Sequence, residues 1–141
     1  MVIIETAETK KQLDDAFSVR YTVFVEEQNV PAEEEIDEYE QESVHVVAYD
    51  KNTPIGAGRM RKGSGFIKVE RICVLAAYRK TGAGRYIMQA IETLGKEQQF
   101  TEAKLHAQTQ AVPFYEKLGY TITSDTFIDA GIPHVAMTKP L

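Results

Sequence analysis

The segment Phe66-Ile67-Lys68-Val69-Glu70-Arg71-Ile72-Cys73-Val74 reads as a β-strand. A turn carrying Arg79-Lys80-Thr81-Gly82-Ala83-Gly84 follows, and then a helical pattern up to Gln98 with Ile87, Ala90, Ile91 and Leu94 on one stripe. Glycines between a strand and a helix let backbone amides converge at the helix N-terminus. Unpaired N–H groups and the positive end of the helix dipole then face the same point, which suits an anion. A phosphate-bearing ligand is the natural guest. Arg79, Lys80 and Arg85 add mobile positive charge in a chain whose net charge is −5.

Several phosphate-binding turns use glycine in this way. A Walker loop needs Lys-Ser or Lys-Thr after its last glycine, whereas Gly84 is followed by Arg85-Tyr86. A Rossmann turn needs a third glycine, and that place holds Ile87. Arg79-Lys80-Thr81-Gly82-Ala83-Gly84 instead resembles the Arg/Gln-x-x-Gly-x-Gly/Ala signature of the GNAT acyltransferases at every fixed position. The preceding strand end, Ile72-Cys73-Val74-Leu75, is similar too. A second block, Gln108-Thr109-Gln110-Ala111-Val112-Pro113-Phe114-Tyr115-Glu116-Lys117-Leu118-Gly119-Tyr120, resembles the other signature of that family. There an Asn commonly precedes a Tyr by seven positions. Gln108 departs from it, keeping the amide but lengthening the side chain, and Tyr115 matches. The N-terminal piece from Arg20 to Pro31 is similar to the YjcF/ElaA-type branch of small bacterial GNAT proteins. Its Arg20-Tyr21-Thr22-Val23-Phe24 also resembles the Arg-x-x-Val-Phe element of acyl-homoserine-lactone synthases.

The rest of the chain agrees with one domain over residues 1–141. An apolar fraction of 43% and a charged fraction of 26% are ordinary for a globular protein. The negative charge argues against nucleic acid as a partner. One cysteine excludes an internal disulfide and makes a reducing, cytoplasmic setting the simplest expectation. The opening residues, Met1 to Thr6, show neither a signal-peptide nor a membrane-span pattern. Val2 to Thr6 reads as a strand. Thr9 and Gln12 form a capping box for a helix with an apolar stripe through Leu13, Ala16, Phe17 and Phe24, bending or fraying near Val23-Phe24-Val25. Strands are expected at Val44 to Tyr49, Pro54 to Arg61, Thr101 to Ala107, Tyr120 to Ile128 and His134 to Thr138, with a helix from Ala111 to Leu118. The expected fold is α/β (α+β). The resemblance implies a mixed, mostly antiparallel seven-stranded sheet with splayed central strands and helices on both faces.

The same resemblance implies acetyl transfer from acetyl-coenzyme A to a small-molecule amine, without a metal. Arg79, Lys80, Thr81, Gly82, Ala83, Gly84 and Arg85 would hold the diphosphate. Ile72, Cys73 and Val74 would pair with the pantetheine arm, the Val74 amide would steady the oxyanion, and Gln108 would complete the cofactor site. Tyr115 would be the general acid, or else pack on the sheet. Glu70 shares strand parity with Ile72 and Val74, apart from any bulge. It is a candidate base, and a salt bridge to Arg59, Arg61 or Arg71 is the competing reading. His106 is the other candidate base. Cys73, pointing the opposite way, reads as a core residue. His45, His106 and His134 lie far apart in the chain and suggest no metal site. Glu26, Glu27, Glu33, Glu34, Glu35, Asp37, Glu38, Glu40 and Glu42 read either as a solvated acidic face or as a mouth for a cationic amine. Arg20 would hold a substrate anion or pair with that run. Alternatives to acetyl transfer are another acyl donor, in the manner of the lactone synthases, or coenzyme A binding without turnover. A homodimer is common in the family, but no surface declares one.

Overall fold

In the computed structural model, which describes residues 1–141, the capping box predicted at Thr9 is formed. The Thr9 hydroxyl accepts from the Gln12 N–H at 3.1 Å, and the Gln12 side chain accepts from the Thr9 N–H at 3.0 Å. Strand β1 (Val2–Thr6) leads through this cap into helix α1 (Lys10–Arg20). Tyr21–Glu27 continues the helix with π-type turns, so the bend expected near Val23-Phe24-Val25 is a widened helix instead. A short helix α2 (Ala32–Glu35) follows Pro31 within the acidic run.

Strands β2 (Val44–Asp50), β3 (Thr53–Lys62) and β4 (Phe66–Val74) form an antiparallel meander, and β1 pairs along β2. Helix α3 (Ala83–Glu97) crosses to β5 (Glu102–Gln108), which runs parallel to β4. Helix α4 (Val112–Lys117) stops at Gly119, whose φ is 99°. Strands β6 (Thr121–Ile122), β7 (Phe127–Asp129) and β8 (Ile132–Pro140) complete the sheet. The strand order is β1-β2-β3-β4-β5-β8-β6, with β7 also on β8, making eight strands. The count exceeds the expected seven because the stretch from Tyr120 to Ile128 is interrupted. Ser124 Oγ takes the Ala136 N–H at 2.8 Å, in place of a backbone carbonyl.

The sheet carries helices on both faces. Alternate residues of its central strands pack with Ile87, Met88 and Ile91 of α3, forming a core through Val69, Leu105, Ala107, Val135 and Met137. On the opposite face, Ala16 and Val19 of α1 pack with Val47, Ala57 and Cys73. No helix is long and apolar enough to cross a membrane.

Candidate active site

The parallel pairing of β4 with β5 ends at Val69 and Leu105, although both strands continue. Arg71 supplies the cause. Its φ of 59° is left-handed, and the register against β3 shifts between Ala57 and Arg59. Beyond this bulge β4 leans away from β5. The Leu75 N–H donates to the Ile55 carbonyl at 2.8 Å, on the β3 side. Alternation therefore turns the N–H and carbonyl of Val74 toward the gap. Arg79 shows the direction independently, since its Nε donates to the Val74 carbonyl at 3.0 Å.

Two cavities meet at this gap. One, of about 630 Å³, is lined by the turn residues Lys80, Gly82, Ala83, Gly84 and Arg85 with Phe114 and Lys117. The other, of about 430 Å³, is lined by Phe24, Glu27, Gln28, Glu70, Arg71, His106, Gln108, Gln110 and His134. Both share Ile72, Cys73, Val74, Arg79, Ala111 and Tyr115. The turn-lined groove and the second cleft are thus joined through the sheet.

The turn is built as a cradle. Lys80 and Gly82 both have positive φ, 68° and 91°. No side chain caps α3, so the amides of its first turn are unclaimed by the protein. A Cβ on Gly84 would come within 3.2 Å of the Phe114 ring, so this glycine lets α4 close over the groove. Thr81 departs from the expected lining: its hydroxyl donates to the Tyr78 carbonyl, and it borders a separate surface cavity. Arg79 also reaches away from the cradle. Both its terminal nitrogens donate to the Glu27 carboxylate at 2.7 Å.

Tyr115 stands where the cavities join, its ring edge-on to Phe114 and Tyr120 at 5.0 and 5.9 Å. Burial pushes its phenol above the ordinary value, so it holds its proton at neutral pH. Cys73 faces the α1 core, where burial pushes its thiol up to about 12. That is the environment of a packing residue, not a nucleophile. Gln108 borders the second cavity and not the turn-lined groove, and its amide donates to Gln28 at 2.8 Å.

Glu70 requires correction. The bulge at Arg71 breaks the parity inferred from the sequence: Ile72 and Val74 pack toward α3, while Glu70 lies on the α1 face with Arg59 and Arg61. Arg59 donates to it at 2.7 Å and Arg61 at 2.8 Å. Burial alone would raise its carboxyl pKa, but the bonds from Arg61 and Arg59 outweigh burial and bring it to about 2. A carboxylate held so tightly is a poor proton acceptor. The salt-bridge reading is the one realised.

The acidic run divides: Glu26, Glu33, Glu34, Glu38 and Glu42 are exposed, as the solvated reading expects, while Glu35, Asp37 and Glu40 are drawn into internal ion pairs. Arg20, 1% exposed, binds Glu35 at 2.9 Å and Glu40 at 2.6 Å. Arg59 binds Asp37 at 2.8 Å, and Arg71 binds Glu35 at 3.1 Å and Asp37 at 3.2 Å. Of the nine acids only Glu27 borders the second cavity, and Arg79 holds it. A wide negative mouth is therefore not formed, and Arg20 is spent on the ion-pair reading. Several cavity residues escaped the sequence reading. Gln28 is aimed inward by the π turns, which nothing but the β-branched pair at Val23 and Val25 hinted at. Gln110 bonds to Gln108. His134 lines the same cavity as the candidate base His106, on the neighbouring strand, though the two are distant in the chain.

Residues 6–141 match the family model described as an acetyltransferase (GNAT) domain. This chain belongs to the GNAT family. An uncharacterized N-acetyltransferase of Bacillus subtilis, YjcF, is 55% identical over 134 residues, covering 94% of this chain and 96% of that one. The crystal structure of a Lactobacillus plantarum protein described as an N-acetyltransferase superposes with a TM-score of 0.93 at 29% identity, over 99% of this chain and 98% of that one. A GNAT family acetyltransferase from Elizabethkingia anophelis, solved with acetyl-CoA bound, shares the fold at a TM-score of 0.74 and 18% identity, covering 99% and 98% of the two chains. The GNAT assignment and the mixed, mostly antiparallel open sheet both agree with the resemblance read from the two sequence blocks. Acetyl transfer is the general chemistry of this GNAT protein's family.

Proposed function

We propose that this GNAT protein transfers an acetyl group from acetyl-CoA directly to the primary amine of a small molecule. The supporting observation is the meeting of two cavities at the Val74 main chain, where no neighbouring strand takes the exposed N–H and carbonyl. The turn from Arg79 to Gly84 and the first amides of α3 would grip the diphosphate, with Lys80 and Arg85 supplying charge. Ile72 to Val74 would pair with the pantetheine arm as a strand edge does. The Val74 N–H would donate to the carbonyl oxygen as it gains charge. Tyr115, kept protonated by burial, would give its proton to the departing sulfur. The second cavity, of about 430 Å³, suits a small acceptor, and Gln28, Gln108 and Gln110 offer it amide groups.

The test is thiol release from acetyl-CoA in the presence of tyramine, spermidine, glucosamine and free lysine, with mass spectrometry of the products. Amine-dependent release and an acetamide product are expected. Saturable acetyl-CoA binding with no amine-dependent release would reduce the protein to a coenzyme A-binding module. Preferential turnover of a longer acyl donor would replace the acetyl assignment.

A further inference from the structure

The register of β5 against β8 sets Gln108 opposite His134, and His106 opposite Ala136. These side chains lie on the face away from the core of Leu105, Ala107, Val135 and Met137. Phe127 of β7 stands between the two histidines. Its ring is edge-on to His106 at 5.0 Å and stacked on His134 at 6.0 Å with an interplanar angle of 20°. His134 is 9% exposed, and its Nδ1 lies 2.7 Å from the Ile132 carbonyl oxygen.

That contact determines the tautomer. A carbonyl can only accept, so Nδ1 carries the hydrogen, and the neutral ring keeps its lone pair on Nε2. Stacking on Phe127 and the bond to Ile132 hold the ring in place. The other cavity bases are less suited. Glu70 is bound by Arg59 and Arg61, Glu27 is bound by Arg79, and His106 is exposed with no hydrogen bond to fix its tautomer.

We propose that His134 is the general base of the transfer. This rests on the acetyl-transfer reading above. The amine nitrogen attacks the thioester carbonyl carbon, and Nε2 takes a proton from that nitrogen as the C–N bond forms. The C–S bond breaks with its electron pair on sulfur, which takes the Tyr115 proton. Solvent returns a proton from the imidazolium to the phenolate, so the net change is one proton moved from nitrogen to sulfur. Base and acid stand on opposite faces of the sheet, with the Val74 N–H between them. The titratable and charged groups that share the cavity with His134 are His106 of β5, Glu70 and Arg71 of β4, Glu27 and Arg79, while Lys68 of β4 and Asp129 of β7 act on the neighbouring His106. Lys68 and Glu70 face each other at 3.6 Å and largely offset one another.

Nitrogen-15 histidine spectra of the intact protein near neutral pH, assigned with His45→Gln and His106→Gln, test the tautomer. A protonated Nδ1 and a bare Nε2 on His134 are expected, and a hydrogen on Nε2 of the neutral ring would overturn the proposal. Kinetics with the fastest amine of the panel test the role. In profiles from about pH 5.5 to 9, wild-type kcat/KM should fall on the acidic side, and His134→Gln should lower kcat about 100-fold and remove that limb. His134→Asn should behave alike, His106→Gln should retain the limb, and all three should still show a thermal shift with acetyl-CoA. A His134→Gln rate within about threefold of wild type, with its acidic limb intact, would sink the assignment while leaving acetyl transfer standing. A wild-type protein that acetylates no amine would instead remove the transfer reading, and this assignment with it.

Discussion

Tyr115 and Gly82 each sit at a fixed place in a block of local sequence, and both line the turn-side cavity. Their roles carry separate expectations. Tyr115→Phe removes one hydroxyl at the junction of the cavities, so kcat should drop about 100-fold while acetyl-CoA affinity, read by calorimetry, stays the same. An undiminished kcat would deprive the phenol of its acid role. Gly82 occupies a left-handed conformation, φ 91°, that a β-branched residue resists. Gly82→Val should cost about 1–3 kcal/mol in urea unfolding and abolish the acetyl-CoA-induced rise in melting temperature. Glu70 shows where residue-level reading fails. Strict alternation placed it beside Val74, and one left-handed residue, Arg71, reversed it. No side-chain pattern encodes a single bulge, and the exception that the parity reading allowed for one is the case realised at Arg71.

At the scale of elements, the capped first helix, the central strand and α3 were legible from periodicity and capping chemistry, because their apolar faces are amphipathic and local. The break between β6 and β7 was not. Thr121 to Thr126 has the composition of a strand, and the interruption depends on Ser124 bonding the distant Ala136. The π turns of Tyr21–Glu27 were legible only as a disturbance, yet they carry Glu27 to Arg79 across the groove. This pair joins the turn that begins at Arg79 to the first helical arm. Arg79 must leave the Val74 carbonyl before another chain can pair there. Both partners are 41% exposed, so the link is worth about 1 kcal/mol at most. Glu27→Gln should therefore tighten acetyl-CoA binding by up to about fivefold in calorimetry. Weakened binding would show that Glu27 holds Arg79 ready for the ligand instead of away from it.

Across the whole molecule, four guanidinium groups, Arg20, Arg59, Arg61 and Arg71, meet four carboxylates, Glu35, Asp37, Glu40 and Glu70. This network ties α1 and the loop after α2 to β3 and β4. Sequence alone showed the acids as a run but could not pair them, since their partners lie one to three elements away. Burial raises the Glu40 carboxyl pKa, but Arg20 and Arg59 outweigh it and bring the group to about 2, as at Glu70. Both folded values lie below the ordinary 4.5. Their contribution is complete above that pH and is lost as pH falls from there through about 2. Melting temperature should decline steeply over this window, and Arg59→Met should flatten the decline while lowering stability near pH 7 by about 3–5 kcal/mol. A melting temperature constant across the window would show that the pairs add nothing to the fold.

The bulge at Arg71 has one more consequence. It makes a passage that runs from one side of the sheet to the other, with Val74 and Tyr115 at its waist. If the proposed donor and acceptor occupy the two chambers, each would enter by its own door and neither would compete for one entrance. A single synthetic rod, carrying an amine at one end and a pantetheine thiol at the other, would thread both chambers at once and exclude either natural occupant.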